Sequence, residues 1–156
     1  MPSSGFHVLD SEFWNSGFWG PGAGAPGRIW WIMKESPIFL KSFETLEWLL
    51  DHTQKFRKSQ RFVMAKRMED AALSFHDSLI WATKTEEKDT ALARADFHLE
   101  RLKVYNHLAV KLKLSSFAQY EHLAKELNTL GKLLGGWQRS LKRSITKSDG
   151  KGTGET

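Results

Sequence analysis

The sequence predicts an all-α fold, an antiparallel up-down four-helix bundle over residues 36–143. Two observations predict it. Apolar residues recur every three or four positions through four successive stretches, and capping or turn residues fall at the seams between those stretches. A third bounds the answer: 156 residues with 40% hydrophobic content suffice for one core and one domain. Four such helices with short connections pack as antiparallel neighbours. No internal repeat is evident.

The first helix is announced by Ser36-Pro37, a capping residue followed by proline at the first helical position, where its missing N–H is harmless. Phe39, Phe43, Leu46, Leu50 and Phe56 form its apolar stripe, and the basic, polar turn from Phe56 to Ser59 interrupts it. The second helix is expected from about Gln60 to Trp81, with Met64, Met68, Ala72, Phe75, Leu79 and Ala82 on one face. Thr83-Lys84-Thr85 followed by Glu86-Glu87 sets a capping hydroxyl before two acids, which suits the positive end of a helix dipole. The third helix then carries Leu92, Ala95, Leu99, Leu102, Tyr105, Leu108 or Ala109, and Leu112. Ser116 and Gln119 make a capping box for the fourth, whose Tyr120, Leu123, Leu127, Leu130, Leu134, Trp137 and Leu141 give the best periodicity in the chain.

The ends differ from this middle. Residues 1–35 form an irregular Gly/Trp-rich extension to which no helical or strand period can be fitted. Met33 stands just before the first helical pattern, so translation starting there is one reading; an aromatic arm that docks on a partner is the other. Residues 144–156 are polar and read as a disordered tail. With no cysteine, no apolar run near the roughly 20 residues that span a bilayer and no leader pattern, the expectation is a soluble cytoplasmic protein.

Little in the chain supports catalysis. There is no Gly-x-Ser-x-Gly, no phosphate loop ending in Gly-Lys-Ser/Thr and no Glu-x-x-His pair of the kind that holds metal inside a bundle. His7, His52, His76, His98, His107 and His122 are spread over every segment and read as surface or boundary residues. No cofactor or metal is implied.

Charge is more informative. Between Lys34 and Arg143 stand twenty basic and fourteen acidic residues, so the bundle holds the excess that makes the chain +5. Lys125, Lys132 and Arg139 follow every seven residues, with Arg143 one turn later; Lys103, His107 and Lys111 stand four apart. Arg57, Lys58 and Arg61 cluster where the first helix turns into the second. Any one set is compatible with a solvated face, but three together point to a polyanion surface, RNA or DNA. Tyr105 and Phe117 could stack on bases, although their position in or beside apolar stripes favours the core. Gly131, Gly135 and Gly136 interrupt the fourth helix at about 1 kcal/mol each relative to alanine, which close approach of another helix would offset. With Trp137 beside them, a contact between subunits is preferred over packing within the chain.

Arg57-Lys58-Ser59-Gln60-Arg61-Phe62, Ala95-Asp96 with Leu99 and Leu102, and Leu133-Leu134-Gly135-Gly136-Trp137-Gln138-Arg139-Ser140 together resemble the accessory variability determinant (Avd) proteins of diversity-generating retroelements. The resemblance spans about Leu40 to Arg143, and its most specific part is the Gly-Trp step. The small proteins encoded in intervening sequences of bacterial 23S ribosomal RNA genes are similar in architecture, and a stand-alone RNA-binding bundle of that kind is the alternative. The Avd resemblance implies a non-catalytic, bacterial or phage-encoded homopentamer. Such a protein binds the retroelement's reverse transcriptase and template RNA, and so enables mutagenic retrohoming through adenine-mutagenised complementary DNA. The family's basic surface maps onto Lys103 and His107, the latter a departure where arginine is expected. The first 35 residues have no counterpart in the pattern.

Overall fold

The computed structural model describes residues 36–149. The Gly/Trp-rich extension with its two readings, His7 and the end of the polar tail lie outside the described residues. Helix α1 is Pro37–Gln54. Helix α2 opens with a first turn at Lys58–Gln60, passes through a π-helical turn at Arg61–Ala65 and continues as Lys66–Lys84. Helix α3 is Lys88–Lys111 and α4 is Phe117–Asp149. Among the described residues there is no strand. Contacts join α1 to α2, α2 to α3, α3 to α4 and α4 back to α1, the square of an up-down bundle.

The α2 stripe is as the spacing predicts: Met64, Met68, Ala72, Phe75, Leu79 and Ala82 are all buried. Leu92, Ala95, Leu99 and Leu102 of α3, and Leu123, Leu127, Leu130 and Leu134 of α4, complete the core. On α3 it is Ala109 that turns inward, while Leu108 and Leu112 stay partly exposed.

Helix α1 departs from expectation. Its inward face is Ile38, Phe39, Ser42, Thr45, Leu49, His52 and Thr53, whereas Phe43 is exposed and Leu46 and Leu50 sit at the boundary. Four polar side chains can occupy the core because each is satisfied there. Ser42 bonds His76 across to α2 at 2.9 Å, His52 bonds Ser115 at 2.8 Å, Thr53 donates to Glu69, and Thr45 donates to the Lys41 carbonyl at 2.7 Å. His52 and His76 are therefore core residues, not the surface or boundary residues their spread through the sequence suggests.

The caps divide similarly. Ser116 N–H donates to Gln119 Oε1 at 2.8 Å and Gln119 N–H to Ser116 Oγ at 3.2 Å, the reciprocal box that starts α4. The Ser36 side chain makes no cap bond; its carbonyl accepts from Phe39 and Leu40 instead. The Thr85 hydroxyl accepts from Glu87 N–H at 3.1 Å, and α3 begins one residue later.

At the other end of the chain, the tail expected from residue 144 is helical as far as Asp149. Ser144, Thr146 and Ser148 donate their hydroxyls to the carbonyls of Leu141, Lys142 and Ile145 at 2.6, 3.0 and 2.6 Å. Polar side chains that suggest a loop here satisfy themselves on the helix backbone. No helix among the described residues is long and apolar enough to cross a membrane.

Candidate nucleic-acid interface

The core stripe of α4 fixes where its basic residues point. Leu123, Leu127, Leu130 and Leu134 are buried, and at about 100° per residue Lys125, Lys132, Arg139 and Arg143 stand on the opposite side. All four are exposed, and none joins an ion pair among the described residues. The outward ridge expected from the heptad spacing is thus present.

The α3 row is less uniform. Lys103 is half-buried against α4 and bonds Glu100 at 2.6 Å, so its charge is largely answered within its own helix. His107 is exposed, with its ring edge-on to Tyr120 at 6.0 Å, and Lys111 is exposed and without a carboxylate partner among the described residues. An imidazole packed against a tyrosine lacks the planar fork of donors that the arginine expected there would offer a phosphate.

The remaining basic set acquires neighbours that its sequence position does not reveal. Arg57 Nη2 donates to the Leu112 carbonyl at 3.4 Å, and His52 bonds Ser115, so the α1–α2 turn and the α3–α4 connection lie against each other. Arg57, Lys58 and Arg61 thereby join Lys111 and Lys113 at one end of the bundle. Arg61 is held by its Nε–H to the Phe56 carbonyl at 3.1 Å. Lys113 has φ of 58°, the left-handed conformation that favours glycine. It occupies the position after the α3 C-cap, where Leu114 N–H reaches back to Ala109 O at 2.9 Å and Lys113 N–H to Val110 O at 3.1 Å.

Two aromatic rings share this end. Phe62 is 86% exposed and Phe117 67% exposed. Phe117 is not the core residue that its place beside an apolar stripe suggests, because the capping box at Ser116 starts the helix with Phe117 on the flank of the buried leucines. Phe62 was legible: with Met64 and Met68 facing inward, its angular position is far from their stripe. Tyr105, the other candidate for stacking, is half-buried, with Arg101 over its ring at 5.8 Å. That guanidinium's hydrogen bond holds the phenol below its ordinary pKa.

The glycines of α4 are not required by packing among the described residues. Among the described residues, a Cβ on Gly131 would meet Leu99 and Lys103 at ordinary contact distances of 3.7 and 3.8 Å; on Gly135 it would touch only the flexible end of Arg139 at 3.4 Å, and on Gly136 nothing within 4 Å. Close approach of α3 does not explain them. Trp137 packs inward, 6.3 Å from Phe39.

No group of three or more His, Asp or Glu residues stands close enough to hold a metal among the described residues. What the fold and these surfaces define is a helical bundle whose distinctive chemistry is cationic and outward. The bAvd-like family matches residues 38–141, two thirds of the chain, and the chain belongs to that family, the bacterial accessory variability determinants. It is accordingly an Avd-like accessory protein. A comparison with curated proteins gives no match.

Proposed function

We propose that this chain serves a diversity-generating retroelement by holding its template RNA and its reverse transcriptase, and so enables mutagenic complementary-DNA synthesis without catalysing a step. The observation that carries this reading is the outward ridge of Lys125, Lys132, Arg139 and Arg143, uncompensated by carboxylates among the described residues, on a member of the Avd-like family. A row of cations at helical spacing neutralises phosphates and releases their counterions, and it equally suits an acidic protein surface. Arg57, Lys58, Arg61 and Lys111 extend the cationic surface, bordered by His107 and by Lys103, which Glu100 pairs.

In this reading copies of the chain assemble as a homopentameric ring. Support comes from Gly135 and Gly136, which no contact among the described residues explains and where a small residue lets a neighbouring backbone approach. Light scattering should give a pentamer, and Gly135→Leu should reduce it to smaller species; a wild-type monomer or dimer would sink the ring.

The test of the main reading is co-expression with the reverse transcriptase from the same retroelement. Changing Lys132 and Arg139 together to Glu should abolish co-purification of enzyme and RNA while leaving the melting temperature unchanged, since both residues are exposed. Undiminished complex and cDNA synthesis would refute the assignment. RNA binding with no adjacent reverse-transcriptase gene and no polymerase partner would instead favour the stand-alone, ribosomal-RNA-associated alternative.

A further inference from the structure

Resting on the reading of this chain as an RNA-binding accessory, we propose that the end of the bundle formed by the two tied turns binds unpaired RNA. Bases stack on Phe62 and Phe117, while Arg57, Lys58, Arg61, Lys111 and Lys113 take the phosphates.

The end is short of negative charge. Asp51 is occupied by Lys55 at 2.8 Å, Asp70 by Lys66 at 3.0 Å, and Glu69 accepts from Thr53. Glu121, one turn beyond Phe117, is the acid nearest to the ring along α4. Against these, none of the five named cations has a carboxylate partner among the described residues.

The rings are presented rather than merely left over. The π-helical turn at Arg61–Ala65 brings Met64 and Ala65 into the core while Phe62 and Val63 face water, and the Arg61 bond to the Phe56 carbonyl anchors that turn. On the other side, the reciprocal cap at Ser116 and Gln119 fixes the first turn of α4, from which Phe117 projects. Lys113 adds an independent sign: a lysine carries its Cβ in a conformation where glycine would be unstrained, and it adds a cation to the connection that leads into Phe117.

Exposed aromatic rings among cations distinguish the nucleic acid. Cations alone would take duplex or single strand. An aromatic face gains only from a base that is not already stacked inside a duplex, and the A-form major groove is too deep and narrow to offer its bases to a side chain. Val63, Leu108 and Leu112, partly exposed nearby, have no π face and bring no such selectivity.

Fluorescence anisotropy of the full chain, with a labelled oligouridine of about 20 nucleotides and a blunt duplex of the same length, tests this. The single strand should bind more tightly than the duplex. Phe62→Ala and Phe117→Ala should each weaken single-strand binding about tenfold and leave duplex binding unchanged, while Phe62→Trp retains it. Because both rings are mostly exposed, neither alanine variant should lower the melting temperature. Lys113→Gly should raise the melting temperature yet flatten the salt dependence of single-strand binding by about 0.7 in the log–log slope. Equal affinity for duplex and single strand, with both alanine variants unaffected, would overturn this inference and leave the broader function standing. Phe62→Ala releasing the reverse transcriptase but not RNA would also overturn it, making the end a protein-docking surface. Failure of the wild-type protein to bind either RNA would overturn both.

Discussion

At the scale of single residues, the two buried histidines tie stability to pH. His52 and His76 are 5% and 8% exposed, each bonded to a serine, and burial pushes both below the ordinary histidine value. The unfolded chain therefore takes up protons at about pH 6.5 while the folded bundle still refuses them. Their contribution is complete above that value and is lost as pH falls through it towards the depressed native values. Thermal melts from pH 7.5 down to 5 should show a falling midpoint, and His76→Gln should shallow that slope; a flat profile in the wild type would refute the assignment. Neither histidine was legible as a core residue. A helical wheel of α1 gathers the largest apolar side chains, Phe43, Leu46 and Leu50, whereas Ser42 and His52 are drawn inward by partners on α2 and beside α4 that no local pattern records.

At the scale of elements, legibility followed local chemistry. The α2 and α4 stripes and the capping box at Ser116 are decided by residues within a few positions of each other, and these appear as the spacing predicts. Ser116→Ala should cost about 1 kcal/mol in urea unfolding, because it orphans the Gln119 N–H at the helix start. A change below about 0.3 kcal/mol would mean the cap is redundant. The π-helical turn and the extension of α4 to Asp149 were not legible. The first depends on how α2 meets α1, where Arg61 bonds the Phe56 carbonyl. The second rests on serine and threonine back-bonds that the same residues could make in a turn.

At the scale of the whole molecule, the sequence carried the architecture and the sign of the surface but not which cations meet. The heptad row on α4 could be read because one helix defines it. The grouping of Arg57, Lys58 and Arg61 with Lys111 and Lys113 depends on two long-range bonds, Arg57 to Leu112 and His52 to Ser115, that bring distant turns together. Local stability should be equally uneven. Residues 142–148 of α4 are all exposed, whereas Leu123, Leu127, Leu130 and Leu134 are buried. Hydrogen exchange should therefore protect amides 123–134 to the level of global opening and leave the last two turns exchanging nearly freely. Uniform protection along α4 would mean that a neighbouring chain covers the overhang.

The antiparallel order has a practical consequence for anyone handling the protein. Helix α1 begins, and α4 finishes, at the end opposite the tied turns, because Ser36 and Pro37 border the same groove as Thr83 and Trp137. A tether attached through either flank of the described chain holds the molecule by that far end. The arginines and lysines of the tied turns then face outward from a sensor chip or bead, free to meet whatever is passed over them.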